Sequence, residues 1–325
     1  MKENVVLEVR DLKKYFPVKK GFFKRVVGHV KAVDGVSFRI HEGETFGLVG
    51  ESGCGKTTVG KLVMHLHEAD SGDIILFGKN ISGMKERDLR KERRHFQIIF
   101  QDPYGSLDPT KTVTSILSEP LIKYKTLPKK MLQGRVKELL ELVGLNENDA
   151  TKYPHEFSGG QRQRIAVARA IALEPKLIVC DESVSALDVS VQAQVLNLLK
   201  ELQTRLGISY LFIAHGMAVV KHISHRIGVM YLGQLVEVAD SEELFKRQLH
   251  PYTETLISSI PIPDPAFCSE RIILEGEVPS PINPPSGCRF HPRCPYARKE
   301  CSEKTPLMRE LAAGHYVACH FPRPH

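Results

Sequence analysis

The sequence predicts an α/β fold with a mostly parallel core sheet. Two observations indicate it: short apolar segments of strand length alternate with segments of helical spacing, and a glycine-rich loop joins one such strand directly to one such helix. Strands that alternate with helices build sheets whose connections are helical, so that neighbouring strands run parallel. Apolar runs without polar alternation are typical of strands that are covered on both faces.

The elements are predicted in order along the chain. The strand-like segments are residues 5–9, 32–40, 45–49, 98–100, 177–180 and 209–214. The segments with helical spacing are residues 57–67, 165–171 and 191–206. Asp34 and Gly35 are expected to bend the second strand. Residues 87–154 are more helical, which predicts a helical subdomain inserted in the sheet domain and extending toward the helix at 165–171.

The chain has 325 residues, a length that predicts two domains or one large domain with an appendage. Beyond residue 250 prolines gather, first between 261 and 265 and then between 279 and 285, and four of the seven cysteines follow them. A proline-rich stretch resists regular helix and favours extended backbone. We therefore predict a main domain over residues 1–250 and a small cysteine-rich C-terminal appendage over residues 251–325.

Composition excludes some classes of protein. Apolar residues make up 42% and charged residues 26%, as in ordinary globular domains, so disorder is excluded as the main state. The net charge of +7 suits nucleic acid, an anionic membrane face or a polyphosphate ligand, and selects none of them. The apolar runs are far shorter than the roughly 20 residues of a spanning helix. Residues 1–4 lack the features of a signal peptide, so a cytosolic chain with reduced or metal-bound cysteines is expected.

A glycine-rich loop after the strand at 45–49 fits the pattern G-x-x-x-x-G-K-[ST]. Its glycines let backbone N–H groups approach phosphate oxygens, and the helix that follows presents its positive N-terminal end. Lys56 adds a charge at the β- and γ-phosphates, and the Thr57 hydroxyl can ligate Mg²⁺. A chance glycine-rich turn is the alternative, which the strand before and the helix after disfavour. The predicted ATP-binding residues here are Gly50, Glu51, Ser52, Gly53, Cys54, Gly55, Lys56, Thr57 and Thr58.

The apolar segment at 177–180 ends in two acids, Asp181 and Glu182. A phosphate loop needs an acid that holds Mg²⁺, and Asp181 is predicted to share the ion with Thr57. Glu182 is placed to orient or deprotonate the attacking water, which is the role of a general base. Two acids after a strand also suit a solvated turn, and the upstream loop is what favours the catalytic interpretation.

The segment that separates this chain from other phosphate-loop proteins is Ser158-Gly159-Gly160-Gln161, just upstream of the two acids. It resembles the signature motif of the ABC ATPases, the ATP-hydrolysing subunits of membrane transporters. Ser158 stands where a helix N-cap belongs, and the two glycines expose the backbone before the helix at 165–171, which makes a second phosphate cradle. For an isolated motif, a capped helix after a glycine turn would be the preferred interpretation.

The resemblance implies a phosphate-loop fold of the ABC-ATPase type and a second ATPase as partner. In this family each signature motif closes on the ATP of the other subunit in a head-to-tail dimer, whether the partner is a copy or a paralogue. A further segment is similar to the D-loop, which faces the opposite site. It consists of Ser185, Ala186, Leu187 and Asp188.

Three single residues also match family positions. Gln101, after the strand at 98–100, resembles the Q-loop glutamine, which contacts the metal or the water and links the site to the membrane partner. His215 resembles the switch histidine, which hydrogen-bonds the γ-phosphate and holds Glu182 in place. Tyr15 matches the aromatic residue that stacks on adenine, with Phe16 as the alternative. The resemblance thus makes Glu182, His215 and Gln101 the catalytic residues.

One position departs from the family. An acid usually follows the switch histidine, and Gly216 stands there in this chain. Because Glu182 and His215 are both retained, the site is expected to remain competent. The missing carboxylate bears on a contact across the dimer near the D-loop.

Two longer segments narrow the resemblance. Residues 101–109 read QDPYGSLDP, and residues 279–295 read PSPINPPSGCRFHPRCP. Both are similar to the ATPases of oligopeptide and dipeptide permeases. That family implies a nucleotide-binding domain over residues 1–250 on the cytoplasmic face of the membrane. It also implies two transmembrane permease subunits and an extracytoplasmic solute-binding protein. Peptides are the expected cargo, with nickel or oligosaccharides as alternatives on the same machine.

The tail carries four cysteines, Cys288, Cys294, Cys301 and Cys319. Structural zinc sites more often have close cysteine pairs, and four thiolates at wider spacing suit a [4Fe–4S] cluster, which the resemblance also implies. Zinc or bare thiols are the alternatives. His315 and His320 flank the last cysteine and are expected to support the ligands or to be exposed. The cysteines not expected to bind metal are Cys54, Cys180 and Cys268.

Two other classes of function compete with transport. A soluble ABC ATPase that acts on nucleic acid has two cassettes in one chain or a long coiled-coil insertion, and neither is present, so no nucleic-acid partner is expected. A metal-cluster redox protein that binds nucleotide only for regulation would have no need of Glu182 and His215. The predicted cofactors are ATP, Mg²⁺ and a [4Fe–4S] cluster.

Overall fold

A computed structural model describes residues 4–22, 25–185, 187–260 and 276–323. Ala186 of the predicted D-loop, Cys268 and the prolines between 261 and 265 lie outside the described residues. The strands are β1 (Val5–Lys20), β2 (Arg25–His41), β3 (Thr45–Val49), β4 (Ser71–Leu76), β5 (Lys79–Asn80), β6 (Phe96–Ile99), β7 (Leu177–Asp181), β8 (Ser209–Ile213), β9 (Arg226–Tyr231), β10 (Gln234–Asp240), β11 (Arg309–Ala312) and β12 (His315–Val317).

The α-helices are α1 (Lys56–Val63), α2 (Glu86–Glu92), α3 (Pro103–Ser106), α4 (Val113–Lys123), α5 (Leu132–Leu142), α6 (Gly159–Ile171), α7 (Val189–Leu206), α8 (Met217–Ile223), α9 (Ser241–Lys246), α10 (Pro251–Ser258) and α11 (Lys299–Glu303). Within the described ranges, no helix has the length and apolar content needed to cross a membrane.

The chain forms two compact units. Unit 1 comprises Met1–Val6, Ile40–Thr45 and Gly83–Ile213, and unit 2 comprises Leu7–Arg39, Phe46–Ser82 and Ala214–His325. The predicted boundary at residue 250 and the predicted helical subdomain stay predictions.

Unit 1 contains three parallel strands, with β7 between β6 and β8. Every residue of β7 and β8 is buried, as expected of strands covered on both faces. Helix α5 of the same unit buries one apolar stripe, formed by Val136, Leu139 and Leu140, whereas most residues of α6 are buried. The predicted α/β character is confirmed here.

Unit 2 contains most of a sheet with the strand order β2-β1-β4-β5, in which β4 pairs antiparallel with both β1 and β5. It also contains β3, which pairs in parallel with β9, and the antiparallel series β9, β10, β12 and β11. The last two strands come from the C-terminal tail, beyond the proline-rich stretch for which extended backbone is predicted. A buried side-chain contact joins the tail to β10, because Nε2 of His315 lies 2.7 Å from Oε1 of Glu237.

Helix α1 is shorter at its C-terminus than predicted. The spacing predicted a helix to residue 67, but the helix ends at Val63. His65 has a φ of 51°, and a left-handed residue of this kind cannot continue an α-helix. Strand β2 begins seven residues earlier than predicted, at Arg25 rather than Ala32, and continues through Gly35, whose φ of 85° gives the local irregularity expected there.

Candidate nucleotide site

The phosphate loop of unit 2 joins β3 to α1. All five residues of β3 are buried, and α1 begins at Lys56 with Gly55 as its N-cap. Gly55 has a φ of 109°, and a Cβ at this position would lie 2.0 Å from the carbonyl oxygen of Ala32. A residue with a side chain does not fit at this distance, so position 55 requires glycine. The close approach of the backbone that the motif predicts is therefore present at Gly55.

Lys56 is 3% exposed, and its ammonium group lies inside the loop. Nζ donates to the carbonyl oxygens of Gly50 at 2.8 Å and of Glu51 at 3.0 Å. It also lies 3.3 Å from Nδ1 of His215. The structure thus brings together two residues that the sequence had assigned to the β- and γ-phosphates. Backbone pairing places His215 there, because the N–H of the preceding Ala214 donates to the carbonyl of Leu48 in β3 at 3.2 Å.

Cys54 lies against this lysine and is 3% exposed. Burial raises the pKa of its thiol, although the charge of Lys56 acts in the opposite direction. Burial likewise raises the pKa of Cys180 in β7 of unit 1 far above its ordinary value. Both thiols are therefore protonated at neutral pH.

Tyr15 belongs to β1 and is half-buried. Its hydroxyl donates to the carboxylate of Asp34, which also accepts from the guanidinium of Arg289. Burial, followed by the hydrogen bond to Asp34, raises the pKa of the Tyr15 phenol to about 12. Burial also acts to raise the pKa of Asp34, but the bond from Tyr15 and the charge of Arg289 outweigh it and lower that pKa. The neighbouring Phe16 instead packs edge-on against the ring of His67.

Unit 1 carries the two predicted acids at the end of β7. Asp181 is 6% exposed and Glu182 is 7% exposed. Glu182 has a φ of 48°, a left-handed backbone that costs a residue with a side chain about 1–2 kcal/mol. It is held by its N–H, which donates to the carbonyl of Ile213, and by its carbonyl, which accepts from the hydroxyl of Ser185. Strain retained at a buried acid is characteristic of functional sites.

The signature segment begins α6 of unit 1. Ser158 is the N-cap, and its hydroxyl accepts from the N–H of Gln161 at 3.3 Å. The side chain of Gln161 in turn accepts from the N–H of Ser158 at 3.0 Å, which completes a capping box. The N-cap predicted for Ser158 is therefore present. Asp188 of the D-loop caps α7, because its side chain accepts from the backbone N–H of Val191. This hydrogen bond is the main reason why the pKa of the Asp188 carboxyl is lowered.

The Q-loop of unit 1 follows β6 and is attached to the signature helix. Gln101 is exposed, and Asp102 caps the short helix α3. The guanidinium of Arg162 in α6 lies 3.8 Å from the ring centroid of Tyr104 in α3, a cation–π contact. Arg169 of α6 donates to the carbonyl of Ser106 at 2.5 Å. Sequence reasoning missed both arginines, since nothing in the local pattern distinguishes them from ordinary helix residues.

The tail of unit 2 brings its four cysteines around one small cavity of about 20 Å³, beside His250 and Phe290. Burial raises the pKa of Cys288 to about 11 and that of Cys319 to about 12. Backbone N–H groups oppose this by donating to the sulfur atoms of Cys288, Cys294 and Cys319. Among the described residues, however, no three His, Cys, Asp or Glu side chains are grouped as a metal ion would require, so the predicted metal centre is not supported by this arrangement.

The two tail histidines have different surroundings. His315 is 1% exposed, and its partner is the buried Glu237, so it is a structural residue of the sheet. His320 lines the cysteine cavity, and its Nε2 lies 2.8 Å from the carbonyl oxygen of Lys304.

Unit 2 contains a phosphate loop with a buried lysine beside a histidine, and unit 1 contains a capped signature helix and two buried acids after a strand. This combination defines an ATP-binding cassette. The profile of the ABC transporter family matches residues 33–185, and the profile of the oligopeptide/dipeptide transporter C-terminal region matches residues 236–301.

Several relatives match nearly the whole chain. The oligopeptide transport ATP-binding protein AppF of Bacillus subtilis is 52% identical over 321 residues, which cover 98% of both chains. OppF of Salmonella typhimurium, with the same description, is 52% identical over 97% of this chain and 96% of its own. The protein belongs to the ABC transporter ATP-binding proteins, in the branch with the oligopeptide/dipeptide C-terminal region. It is an ATPase whose hydrolysis of ATP is coupled to transport.

Solved structures agree with this assignment of the fold. The ATP-binding cassette MJ0796, a dimer in a post-hydrolysis state bound to ADP and Pi, is 26% identical and has a TM-score of 0.64 over 72% of this chain and 98% of its own. CbiO1 from Clostridium perfringens, part of the transporter complex cbiONQ, is 27% identical and has a TM-score of 0.65 over 75% of this chain and 92% of its own. The predicted ABC-ATPase fold is confirmed.

Proposed function

We propose that this chain is the ATP-hydrolysing subunit of a peptide importer in the cytoplasmic membrane. The observation that carries the proposal is its likeness over nearly the full length, tail included, to proteins described as oligopeptide transport ATP-binding proteins. In this machine the chain lies on the cytoplasmic face, bound to two transmembrane permease subunits. A separate extracytoplasmic protein delivers the peptide to them.

The roles in ATP binding follow the motifs. The loop from Gly50 to Thr58 binds the phosphates, with Lys56 as the charge at the β- and γ-phosphates, and Tyr15 stacks on adenine. The burial of Lys56 and its short distance from His215 support these roles, because an ammonium group in a dry loop attracts phosphate more strongly than an exposed one does.

The roles in hydrolysis complete the site. Thr57, Asp181 and Gln101 hold the Mg²⁺ that accompanies ATP. Glu182 accepts a proton from the attacking water, and His215 holds the γ-phosphate and the water in place. The left-handed backbone of Glu182 supports its role, since strain of this kind persists where a side chain must be aimed.

The signature segment acts on a second ATPase subunit. Ser158 to Gln161 form the N-terminal end of a helix, and such an end attracts phosphate through its free N–H groups and its dipole. The D-loop, with Asp188 at the start of α7, faces the opposite site in the same head-to-tail dimer. The dimeric form of the solved cassette MJ0796 supports a dimer of ATPase subunits.

The four tail cysteines hold a [4Fe–4S] cluster in this proposal. Their donor chemistry fits, because four thiols converge and three of them accept backbone N–H groups, which stabilise thiolates. The cavity of about 20 Å³ is small, so loading requires the thiol side chains to move apart. When bound, the cluster supplies a redox centre and cross-links four positions of the tail.

The cargo is tested by purifying the chain with its permeases and measuring ATPase activity and uptake in proteoliposomes with the solute-binding protein present. Stimulation by short peptides supports peptide import. Stimulation by nickel or by oligosaccharides, with none by peptides, overturns that choice of cargo while leaving the ATPase assignment intact.

The metal centre is tested on protein that is purified without oxygen. About four iron and four labile sulfide per chain, lost in Cys294→Ser, are expected for the cluster. One zinc per chain without sulfide, or no metal at all, contradicts it. Cys54→Ser serves as the control, since this cysteine lies at the phosphate loop outside the cysteine cavity.

A further inference from the structure

Two arginines lie between the first two tail cysteines, Cys288 and Cys294. The side chains of Arg289 and Arg293 are each 9% exposed. A guanidinium group stays charged in proteins, so its burial is unfavourable unless its donors are paired. The partners of these two arginines therefore indicate what the segment is built to hold.

Arg293 is paired with the phosphate loop. Its Nη1 donates to Oε2 of Glu51 at 2.9 Å, and its Nη2 donates to Oε1 at 3.2 Å, a two-pronged ion pair. The backbone of Glu51 is fixed as well. Its N–H donates to the hydroxyl of Tyr252 at 2.8 Å, and its carbonyl accepts from Nζ of Lys56 at 3.0 Å. Arg293 thus holds the residue whose carbonyl positions the phosphate-binding lysine.

Arg289 is paired with the adenine side of the site. It donates to the carboxylate of Asp34 and to the carbonyl of Leu232. Asp34 in turn accepts the hydroxyl of Tyr15. Arg289 therefore acts on the Tyr15 ring through one carboxylate, whereas Arg293 acts on the phosphate loop through another.

The segment between the arginines is itself fixed by aromatic packing. The ring of Phe290 lies 5.3 Å from the rings of both Tyr231 and Tyr252, and these contacts are edge-on or tilted. Arg289 directly follows Cys288 and Arg293 directly precedes Cys294, so a displacement at either cysteine is expected to move the arginine beside it.

We propose that Arg289 and Arg293 are positioning residues for ATP, through which the cysteine-rich tail sets the affinity of the nucleotide site. Arg293 orders the phosphate loop, and Arg289 orients the Tyr15 ring. The inference rests on the assignment of Tyr15 and of the Gly50–Thr58 loop to ATP binding. It gives the tail a function in nucleotide binding that holds with or without a metal centre.

The test uses the full chain, purified without oxygen, and calorimetric titration with Mg-ATP and with Mg-tripolyphosphate, which lacks adenosine. Arg293→Ala is expected to weaken both ligands about tenfold, because Glu51 loses both charged hydrogen bonds and the phosphate loop is less well ordered. Arg289→Lys and Tyr15→Phe are expected to weaken ATP about threefold to tenfold and to leave tripolyphosphate unchanged. A merely structural role would weaken the binding of both ligands and would not produce this difference between ATP and tripolyphosphate.

The pairings are tested by double substitution. Glu51→Gln combined with Arg293→Ala is expected to bind ATP no more weakly than Arg293→Ala alone, because both substitutions break one interaction. If Arg293→Ala fails to fold, Glu51→Gln alone tests the same ion pair with a milder change. It is expected to weaken ATP binding about threefold. Lys299→Ala, in the same tail with a side chain 89% exposed, is the control and leaves both affinities unchanged.

The outcomes distinguish a wrong role for the two arginines from a wrong assignment of the nucleotide site. Wild-type affinity for ATP in Arg293→Ala or in Glu51→Gln overturns the proposal, as does an equal loss of both ligands in every variant. If the wild-type chain binds neither ATP nor tripolyphosphate, the nucleotide site itself is wrongly assigned.

Discussion

Gly160 of the signature helix and Val191 of α7 stand so close that a Cβ on Gly160 would lie 2.3 Å from Cγ1 of Val191. This glycine was assigned by sequence to a phosphate cradle that needs exposed backbone. Within unit 1 it has a second reason to be a glycine, because helix α6 can approach α7 only where one side chain is missing.

Gly160→Ala is expected to destabilise the protein by about 1–3 kcal/mol, the usual cost of overpacking. The free energy of unfolding is measured by denaturant titration. Adding Val191→Ala makes room for the new methyl group and is expected to recover most of the loss. Gly134→Ala in α5 is the matched control, since nothing lies within 4 Å of a Cβ there, and it is expected to stabilise by about 0.5–1 kcal/mol. Equal losses for both alanines would contradict the packing explanation.

Glu182→Gln is expected to lower the rate of ATP hydrolysis by about 10²–10⁴, since an amide cannot accept the proton of the attacking water. Phosphate release is measured on the chain with its partners, and ATP binding is measured separately and is expected to be retained. Glu201→Gln on the exposed face of α7 is the control. Normal turnover by Glu182→Gln would mean that another group is the base.

Asp34→Asn is expected to lower stability at neutral pH by about 1.5–3 kcal/mol, because Arg289 loses a charged partner in a buried position. The pKa of Asp34 is lowered in the folded chain, so its stabilising contribution is present above the pKa of the unfolded chain, about 4, and is lost as the pH falls through the folded value. Unfolding titrations from pH 7 to pH 3 should therefore show the gap between wild type and Asp34→Asn closing below about pH 4.

The comparison variant for this pH series is Asp88→Asn on α2, an exposed carboxylate whose removal is expected to change stability by less than about 0.5 kcal/mol at any pH. A gap that stays constant from pH 7 to pH 3 in Asp34→Asn would show that the Arg289 pair does not depend on the charge of Asp34.

Gly216→Asp restores the acid that the family usually has after the switch histidine. Gly216 is the N-cap of α8, with no side-chain hydrogen bond, and a Cβ there meets only Val219 at 3.5 Å, which is ordinary contact. The aspartate is therefore expected to fit, to cap α8 and to raise stability by a few tenths of a kcal/mol. Thermal unfolding measures the gain. Gly216→Ala, which cannot cap, is expected to give none, and a loss in Gly216→Asp larger than in Gly216→Ala would contradict the capping explanation.

The local features of the candidate site were predictable. Strand β3 has the predicted bounds, and Ser158 is the predicted N-cap. Each follows from a short run of residues whose backbone conformation or spacing favours one structure. Lys56 and His215 are 159 positions apart, and only the family resemblance assigned both to the same phosphate.

The contacts that hold the site were not predictable in the same way. Arg293 and Glu51 are 242 positions apart, and Arg289 and Asp34 are 255 apart, so no local pattern links them. Strand β12 was missed because it is three residues long and contains a histidine that is buried only by its pairing with Glu237. The end of α1 was missed because a single left-handed residue, His65, ends a helix whose apolar spacing continues.

Unit 2 takes its residues from three separated stretches, and its phosphate loop is made long before the partners of that loop. A chain leaving the ribosome exposes the last residue of unit 1, Ile213, about 80 residues before Arg293, which at 5–20 residues per second is a delay of roughly 4–16 s. During that interval Glu51 has no ion pair and β9 is newly made. Prematurely terminated chains that lack the tail are therefore expected to carry a phosphate loop of the right sequence whose Glu51 has no guanidinium partner, and to bind ATP more weakly than the full chain.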